Sequence, residues 1–382
     1  MVPTSAAAEP SRAQRVQDSP SESDLVSRFR RALFALAARV ALASVGAAGA
    51  AALGGCGTMH YVAQAAAGQE DFINRAQPID ALVEGKHLRP RERALLGEIR
   101  PIKSFGEQHG LKPTKNYEMY VRLDRRAAVW IVSASEALRF RSKVWRFPII
   151  GSITYVGWFD EKEARAFGAD LAKQGWDADV RPAGAYSTLG WFADPVLSTM
   201  IPDGPEALGE LAEIVLHESL HATFYVNGQS RLNESVANFV GETLARDYLV
   251  ATRGAGNAPL GAYEAVEAAT IRRGKVLYEA HDALEKLYAE KIPDAEKLER
   301  KRAIIAAAQK ASGITRPINN ATLIQYKTYH SGEGELAALY AACGKDMQRF
   351  IRAVKRLEAT AFAHPQMPDV SAIIAGLQNR CD

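Results

Sequence analysis

Three features of the chain predict an α+β fold. Apolar residues recur at helical spacing as far as Gly110. Aromatic and β-branched residues then dominate from Tyr117 to Phe192, interrupted by one helical stretch, and helical spacing resumes to the C-terminus.

Each element follows from its local pattern. "HYVAQAAAGQEDFINRAQPIDALVEG" and "RPRERALLGEIRPIKSFGEQHG" read as two or three helices ending at Gly110. "YEMYVRLDRRAAVWIVSASEAL" and "KVWRFPIIGSITYVGWF" have strand texture, with Pro148 and Gly151 marking a bend or an edge of a mixed or antiparallel sheet. In "DEKEARAFGADLAKQG" residues Ala164, Phe167 and Leu171 share one helical face, and Gly175 suits the C-terminal cap. "DADVRPAGAYSTLGWF" returns to extended structure. "PEALGELAEIVLHESLHATFYV" is a helix striped by Leu208, Leu211, Ile214 and Val215, and "NESVANFVGETLARDYLV" is the next. From Ala262 to Leu298 a long charged helical segment carries Ile271, Leu277, Leu284 and Tyr288 at near-heptad spacing, with Pro293 near a turn. It reads either as a helical hairpin or coiled-coil arm, or as a solvated charged helix packed on the body.

Three parts follow: residues 1–55, disordered and then a signal segment; 56–250, with the N-terminal helices, the β-rich part and the metal-site helices; and 251–382, helical with a charged hairpin. Residues 1–25 are polar and rich in Ser, Pro and Ala. Behind them Arg28, Arg30, Arg31 and Arg39 precede an uncharged run from Val40 to Gly55, too short and too weakly apolar for a stable membrane span. A basic region, a short apolar region and small residues before a cut describe a secretory signal. "LGGC" (Leu53 to Cys56) resembles the bacterial lipobox, which implies cleavage before Cys56 and lipid attachment to it. Gly57 after the cysteine, not Asp, points to the outer membrane facing the periplasm.

The 47 basic and 44 acidic side chains give a net charge of +3. Loss of residues 1–55 removes six of the basic and four of the acidic groups, leaving +1. Without a basic excess or a basic stripe, nucleic acid is not an expected partner; no motif speaks to the oligomeric state. Cys343 and Cys381 form a disulfide candidate in an oxidising compartment, the alternative being two unpaired thiols.

The chemistry concentrates in "HESLHATFYVNGQSRLNES", His217 to Ser235. Four residues turn a helix about 40° past a full revolution, so His217 and His221 project from one face about 6 Å apart along the axis. That spacing lets two imidazoles share one Zn2+ ion. Glu218, about 100° away, is badly placed as a ligand and well placed to take a proton from a zinc-activated water. A catalytic zinc needs a third protein ligand, and Glu234 and Glu242 are the candidates. Asn233 reads either as a residue that orients the ligand glutamate or as a helix cap.

"LNESVANFV" resembles the Asn-Glu-x-x-Ala segment that supplies the third ligand in gluzincin metallopeptidases, which carries that role to Glu234. The connection from His221 is shorter here than in gluzincins. The lipobox, "HYVAQAAAGQ", "WRFPIIGSITYVGWF", "AYSTLGWFADPVLSTM", the zinc segment and "NNATL" occur in the same order in the putative aminopeptidase family of bacterial lipid-anchored zinc metallopeptidases, and the resemblance covers residues 56–362 or so. It implies a gluzincin-like fold with an active-site helix, a lipid-anchored location in the cell envelope, and a peptide or protein substrate. The Gly-x-Met-Glu-Asn segment with which many gluzincin aminopeptidases hold the substrate amine does not occur. Two rival readings remain, a zinc endopeptidase of the envelope and a lipid-anchored scaffold with a structural zinc.

Further site candidates are Tyr329 and His330, placed where an oxyanion donor could return to the cleft. Tyr186, Ser187, Thr188, Leu189 and Gly190 form either an edge strand that pairs with an extended peptide or ordinary buried sheet.

Overall fold

The computed structural model describes residues 56–147, 151–186, 193–329, 332–357, 362–364, 367, 370–377, 380 and 381. The expected signal segment, Ser187 to Gly190 and His330 lie outside them. The chain divides into two units, Met1–Ala66 and Ala67–Asp382. Of the first, the described part is the start of helix α1 (Cys56–Arg75). No helix among the described residues is long and apolar enough to cross a membrane.

The second unit mixes helices with small sheets. Strand β1 (Gln77–Pro78) leads into α2 (Ile79–Glu84) and α3 (Pro90–Gln108). Then come β2 (Met119–Val121), β3 (Val129–Glu136), β4 (Trp145–Phe147), β5 (Gly151–Ile153) and β6 (Tyr155–Trp158). Helix α4 (Glu161–Lys173) starts at Asp160, whose side chain accepts from the Glu163 N–H, and it precedes β7 (Trp176–Ala183) and β8 (Val196–Leu197). The rest is helical: α5 (Ala207–Thr223), α6 (Ser230–Arg253), α7 (Ala258–Ala289), α8 (Asp294–Ser312), α9 (Asn320–Tyr329), α10 (Glu333–Ala342), α11 (Met347–Val354) and α12 (Ser371–Ala375).

The sheets explain which strand faces meet helices. β3 is central between β6 and β7, antiparallel to both; β2 lies between antiparallel β1 and parallel β8; and β4 pairs with β5. On one face of the β6–β3–β7 sheet, Val180 meets α4 so closely that a Cβ on Gly168 would lie 2.5 Å from it. On the other face Ser133, Ser135, Asp177 and Asp179 are polar, and α9 packs there.

The main core gathers Leu95, Ile99 and Ile102 of α3 with Leu211, Val215 and Leu216 of α5 and Leu232, Val236 and Val240 of α6. It continues through Leu260 and Tyr263 into Leu336 and Leu339, and α6 itself runs across residue 250, where a division into two parts was expected. The segment 262–298 forms a helical hairpin turning at Pro293, and its distal half packs on the body rather than standing free. Leu277, Leu284 and Leu287 are buried with Ile318 and Leu323. Lys301 of α8 reaches the carboxylate of Asp177 at 2.5 Å and the carbonyl of Ala137 at 2.7 Å. Ile271, placed on the apolar stripe by its spacing, is 61% exposed: the buried side of α7 faces both its hairpin partner α8 and α9.

Candidate metal centre

Helix α5 is held between α3, α6 and α7, which bury its apolar stripe, and His217 and His221 turn toward the start of α6. The connection 224–229 must reverse the chain within two turns' length. Gly228 does so at φ 77°, a conformation that side chains disfavour. Asn233 then clamps the turn from inside α6: its Oδ1 accepts from the Val226 N–H at 2.8 Å and its Nδ2 donates to the Val226 carbonyl at 2.9 Å. Asn233 therefore does not cap the helix; Gln229 occupies that position. Fully buried, Asn233 ties the incoming chain to the helix and so orients its neighbour Glu234.

Close approach of the two helices also depends on Gly241. A Cβ there would lie 3.0 Å from the Glu213 carbonyl oxygen and 3.1 Å from the His217 Cβ. Gln229 adds a tie to the C-terminal segment, donating to the His364 carbonyl at 2.9 Å and accepting from the Met367 N–H at 3.1 Å. That segment is anchored by the Cys343–Cys381 disulfide and by buried Val370, Ile374 and Leu377.

The result is a compact ligand set. The Nε2 atoms of His217 and His221 lie 3.1 Å apart, and the Glu234 carboxylate oxygens lie 3.5 Å from His217 and 3.8 Å from His221. Glu242, the other candidate, faces Arg246 at 4.0 Å instead. Zinc bonds of about 2.0–2.1 Å at tetrahedral angles separate ligand atoms by roughly 3.3 Å, so the three side chains fit a zinc ion without rearrangement. Among the described residues no fourth His, Cys, Asp or Glu joins the group.

Electrostatics agree with this use. Burial, together with the neighbouring His217 charge, holds the His221 imidazole down to about 4, so that it stays neutral, the form that binds metal. Burial also pushes on His217, but the Glu234 hydrogen bond and the charges of Glu218, Glu234 and Glu213 outweigh it and raise its pKa. Glu234 is lowered despite burial, through the His217 hydrogen bond and the charges of His221, His217 and Arg181. One carboxylate set against two imidazoles favours a shared cation.

Glu218 is half-buried, with Oε2 shielded from solvent. Its charge acts on Tyr117, a buried residue that the motif reading missed; burial, Glu218 and Asp194 together push that phenol well up. Tyr117 holds φ at 65°, rare for a bulky residue, and its N–H donates to the Asp194 carbonyl at 2.7 Å. Asn116 accepts from the Asp194 N–H at 3.2 Å, completing a two-point junction beside the site. Tyr225, also missed, stands 47% exposed on the connection, with Glu234 and burial raising its pKa.

The remaining candidates are placed as follows. Tyr186 turns edge-on to Phe72 at 5.9 Å and Phe159 at 5.3 Å and packs, partly buried, against the main core. Tyr329 ends α9. Cys56 begins α1. A recess of about 590 Å³ between β3 and the α7–α8 hairpin is lined by Glu136, Phe140, Glu285 and Lys297, and none of its lining residues belongs to the metal cluster.

A family described as putative aminopeptidases matches residues 60–366. The chain belongs to this family. Its name points to a peptidase, and the match spans both helices of the cluster and the sheet. No curated protein and no solved structure matches the chain.

Proposed function

We propose that the protein is a zinc-dependent peptidase, an aminopeptidase, anchored in the cell envelope by lipid on Cys56. The observation that carries the reading is the convergence of the His217, His221 and Glu234 ligand atoms, all within 4.8 Å of one another, with Glu218 adjacent on the same helix. The absence of a fourth protein ligand among the described residues favours a catalytic over a structural ion. When bound by the three side chains, zinc supplies Lewis acidity that acidifies water and polarises a carbonyl.

The chain's own groups do the rest. The Glu218 carboxylate accepts a proton as the water oxygen bonds to the scissile carbonyl carbon, whose oxygen takes up the electron pair. Glu218 then gives that proton to the amide nitrogen as the C–N bond breaks, leaving a carboxylic acid and an amine, and the acid passes its proton to the amine or to solvent. Burial of His221 and Glu234 fixes the ligands, and the Asn233 clamp holds Glu234 in register with both histidines.

Metal analysis combined with a peptide library tests this. Wild type and Glu218→Gln should both carry one zinc ion, and only wild type should cleave, the variant losing about 100- to 10000-fold in rate. Retention of zinc by a wild type that cleaves nothing would sink the peptidase reading. Cleavage of peptides with blocked N-termini would replace the aminopeptidase by an endopeptidase. Labelling with palmitate in wild type but not in Cys56→Ala tests the anchor.

A further inference from the structure

Gln229 stands where the reversal after α5 becomes α6, and its side chain serves neither. Its carbonyl accepts from the Asn233 N–H at 3.0 Å, and its own N–H donates to the Val226 carbonyl at 3.2 Å. The side-chain amide makes no cap bond to the helix. It donates instead to the His364 carbonyl at 2.9 Å and accepts from the Met367 N–H at 3.1 Å, in a residue only 4% exposed. One buried amide therefore joins the reversal to the C-terminal segment. From there the linkage runs to the ligand set without a gap: Val226 is bonded twice by the Asn233 side chain, and Asn233 precedes Glu234 in the chain. The far end of the same segment is fixed covalently. Cys381 is bonded to Cys343 at the end of α10, 38 residues away, and its carbonyl accepts from Arg349 Nε at 2.7 Å. Between Met367 and Cys381, Val370, Ile374 and Leu377 are buried, but α12 has only five residues, too few for a helix to persist alone.

A short segment with little regular structure owes much of its order to a covalent closure, which limits the conformations it gains on release. Once it leaves Gln229, the buried amide keeps the desolvation penalty of both its polar atoms, so the reversal opens toward water. We infer that Gln229 is a positioning residue through which the Cys343–Cys381 disulfide holds the His217–His221–Glu234 centre in its metal-binding arrangement. The centre is thereby sensitive to a dithiol reductant. The S–S bond breaks, Cys343 and Cys381 each take an electron and a proton to become thiols, and the dithiol closes to its own disulfide. Cys381, 6% exposed against 0% for Cys343, offers the more accessible sulfur. The inference rests on the zinc reading of the site. The competing role, a staple for the fold as a whole, would alter resistance to unfolding everywhere and single out no part of the chain.

The test uses the full chain and two readouts: zinc affinity by chelator competition, and amide hydrogen exchange in the zinc-free protein. Cys343→Ala with Cys381→Ala should lower zinc affinity about 10- to 100-fold, the range for partners that orient a metal's ligands. Exchange should speed up about 10-fold at residues 224–234 and stay unchanged at 277–287 in the second hairpin. Gln229→Ala with the disulfide intact should reproduce both effects. Combining it with the cysteine changes should add nothing, because both act through one linkage. If the double cysteine variant does not fold, Cys381→Ala alone takes its place. Unchanged exchange at 224–234 after loss of the disulfide, equal acceleration in both hairpins, losses that add in the combined variant, or unchanged affinity in a chain that binds zinc would each overturn the inference. Local, non-additive acceleration in a chain that binds no zinc in any form would uphold the linkage and overturn only the zinc reading.

Discussion

Two helical hairpins in this chain each carry a histidine among carboxylates, and they differ in how the groups converge. In α5–α6, His217 and His221 meet Glu234 from the facing helix. In α7–α8, His281, Asp282 and Glu285 also bring ligand atoms within 4.8 Å of one another, but all three come from one helix. Asp282 is 41% exposed at its side chain, and the His281 ring lies stacked on Phe140 at 3.8 Å. A single helix fans its side chains outward, so neighbours at i and i+1 diverge by about 100°: His281 turns inward and is buried, while Asp282 faces solvent. Enclosure needs a second element. The comparison teaches that closeness of ligand atoms is cheap along a helix and informative across two.

The comparison breaks most directly through metal content. Glu234→Ala should weaken zinc binding more than about 100-fold, beyond the loss from an outer-shell partner, whereas Glu285→Ala should leave the bound metal unchanged. Plasma-emission analysis after dialysis against a graded chelator reads both. Equal losses would erase the distinction between the hairpins.

Next in size is the attachment of the second hairpin to the sheet. Lys301→Met leaves Asp177 without its ammonium in a site where Lys301 is 9% exposed at its side chain and Asp177 is 17% exposed. A loss of about 3–5 kcal/mol in urea unfolding is expected, with zinc content intact. A variant that also lost zinc would show the two hairpins to be coupled.

Between pH 6.5 and 4 the acid limb of stability should report on the first hairpin. The pKa of His221 is depressed from 6.5 to about 4, so the folded state binds fewer protons than the unfolded one between those values. Stability of chelator-treated protein should therefore fall as pH drops from 6.5 toward 4, by on the order of 3 kcal/mol for this group. His221→Gln should flatten that limb in denaturant titrations at stepped pH.

The smallest effect sharpens the contrast in packing. Gly241→Ala gains about 1 kcal/mol in helix propensity but overpacks the α5 backbone by about 1–3 kcal/mol. A modest fall in melting temperature with weaker zinc retention is expected. Gly261→Ala on α7, where an added Cβ meets nothing within 4 Å, should instead be neutral or stabilising.

Much of this was legible in the chain. The α+β order, the helix 161–173 with Gly175 just past its end, and the turn of the second hairpin at Pro293 all follow from local patterns that need no distant partner. The two-histidine motif could be read because both residues sit on one helix. Other features could not. Gly241 and Asn233 look ordinary in sequence, since their roles depend on the distance between α5 and α6. Tyr117 lies outside every motif and joins the site through its contact with Asp194, 77 residues on. The contacts of Tyr186 with Phe72 and Phe159 likewise join segments far apart in the chain.

By itself the sequence determined the groups available: two imidazoles and an adjacent carboxylate at helical spacing, because the helix repeat is local. Which carboxylate joins them was decided by tertiary structure. Glu234 and Glu242 share one helix and differ by two turns, and only the tight reversal at Gly228, clamped by Asn233, sets one of them against the histidines and leaves the other to Arg246.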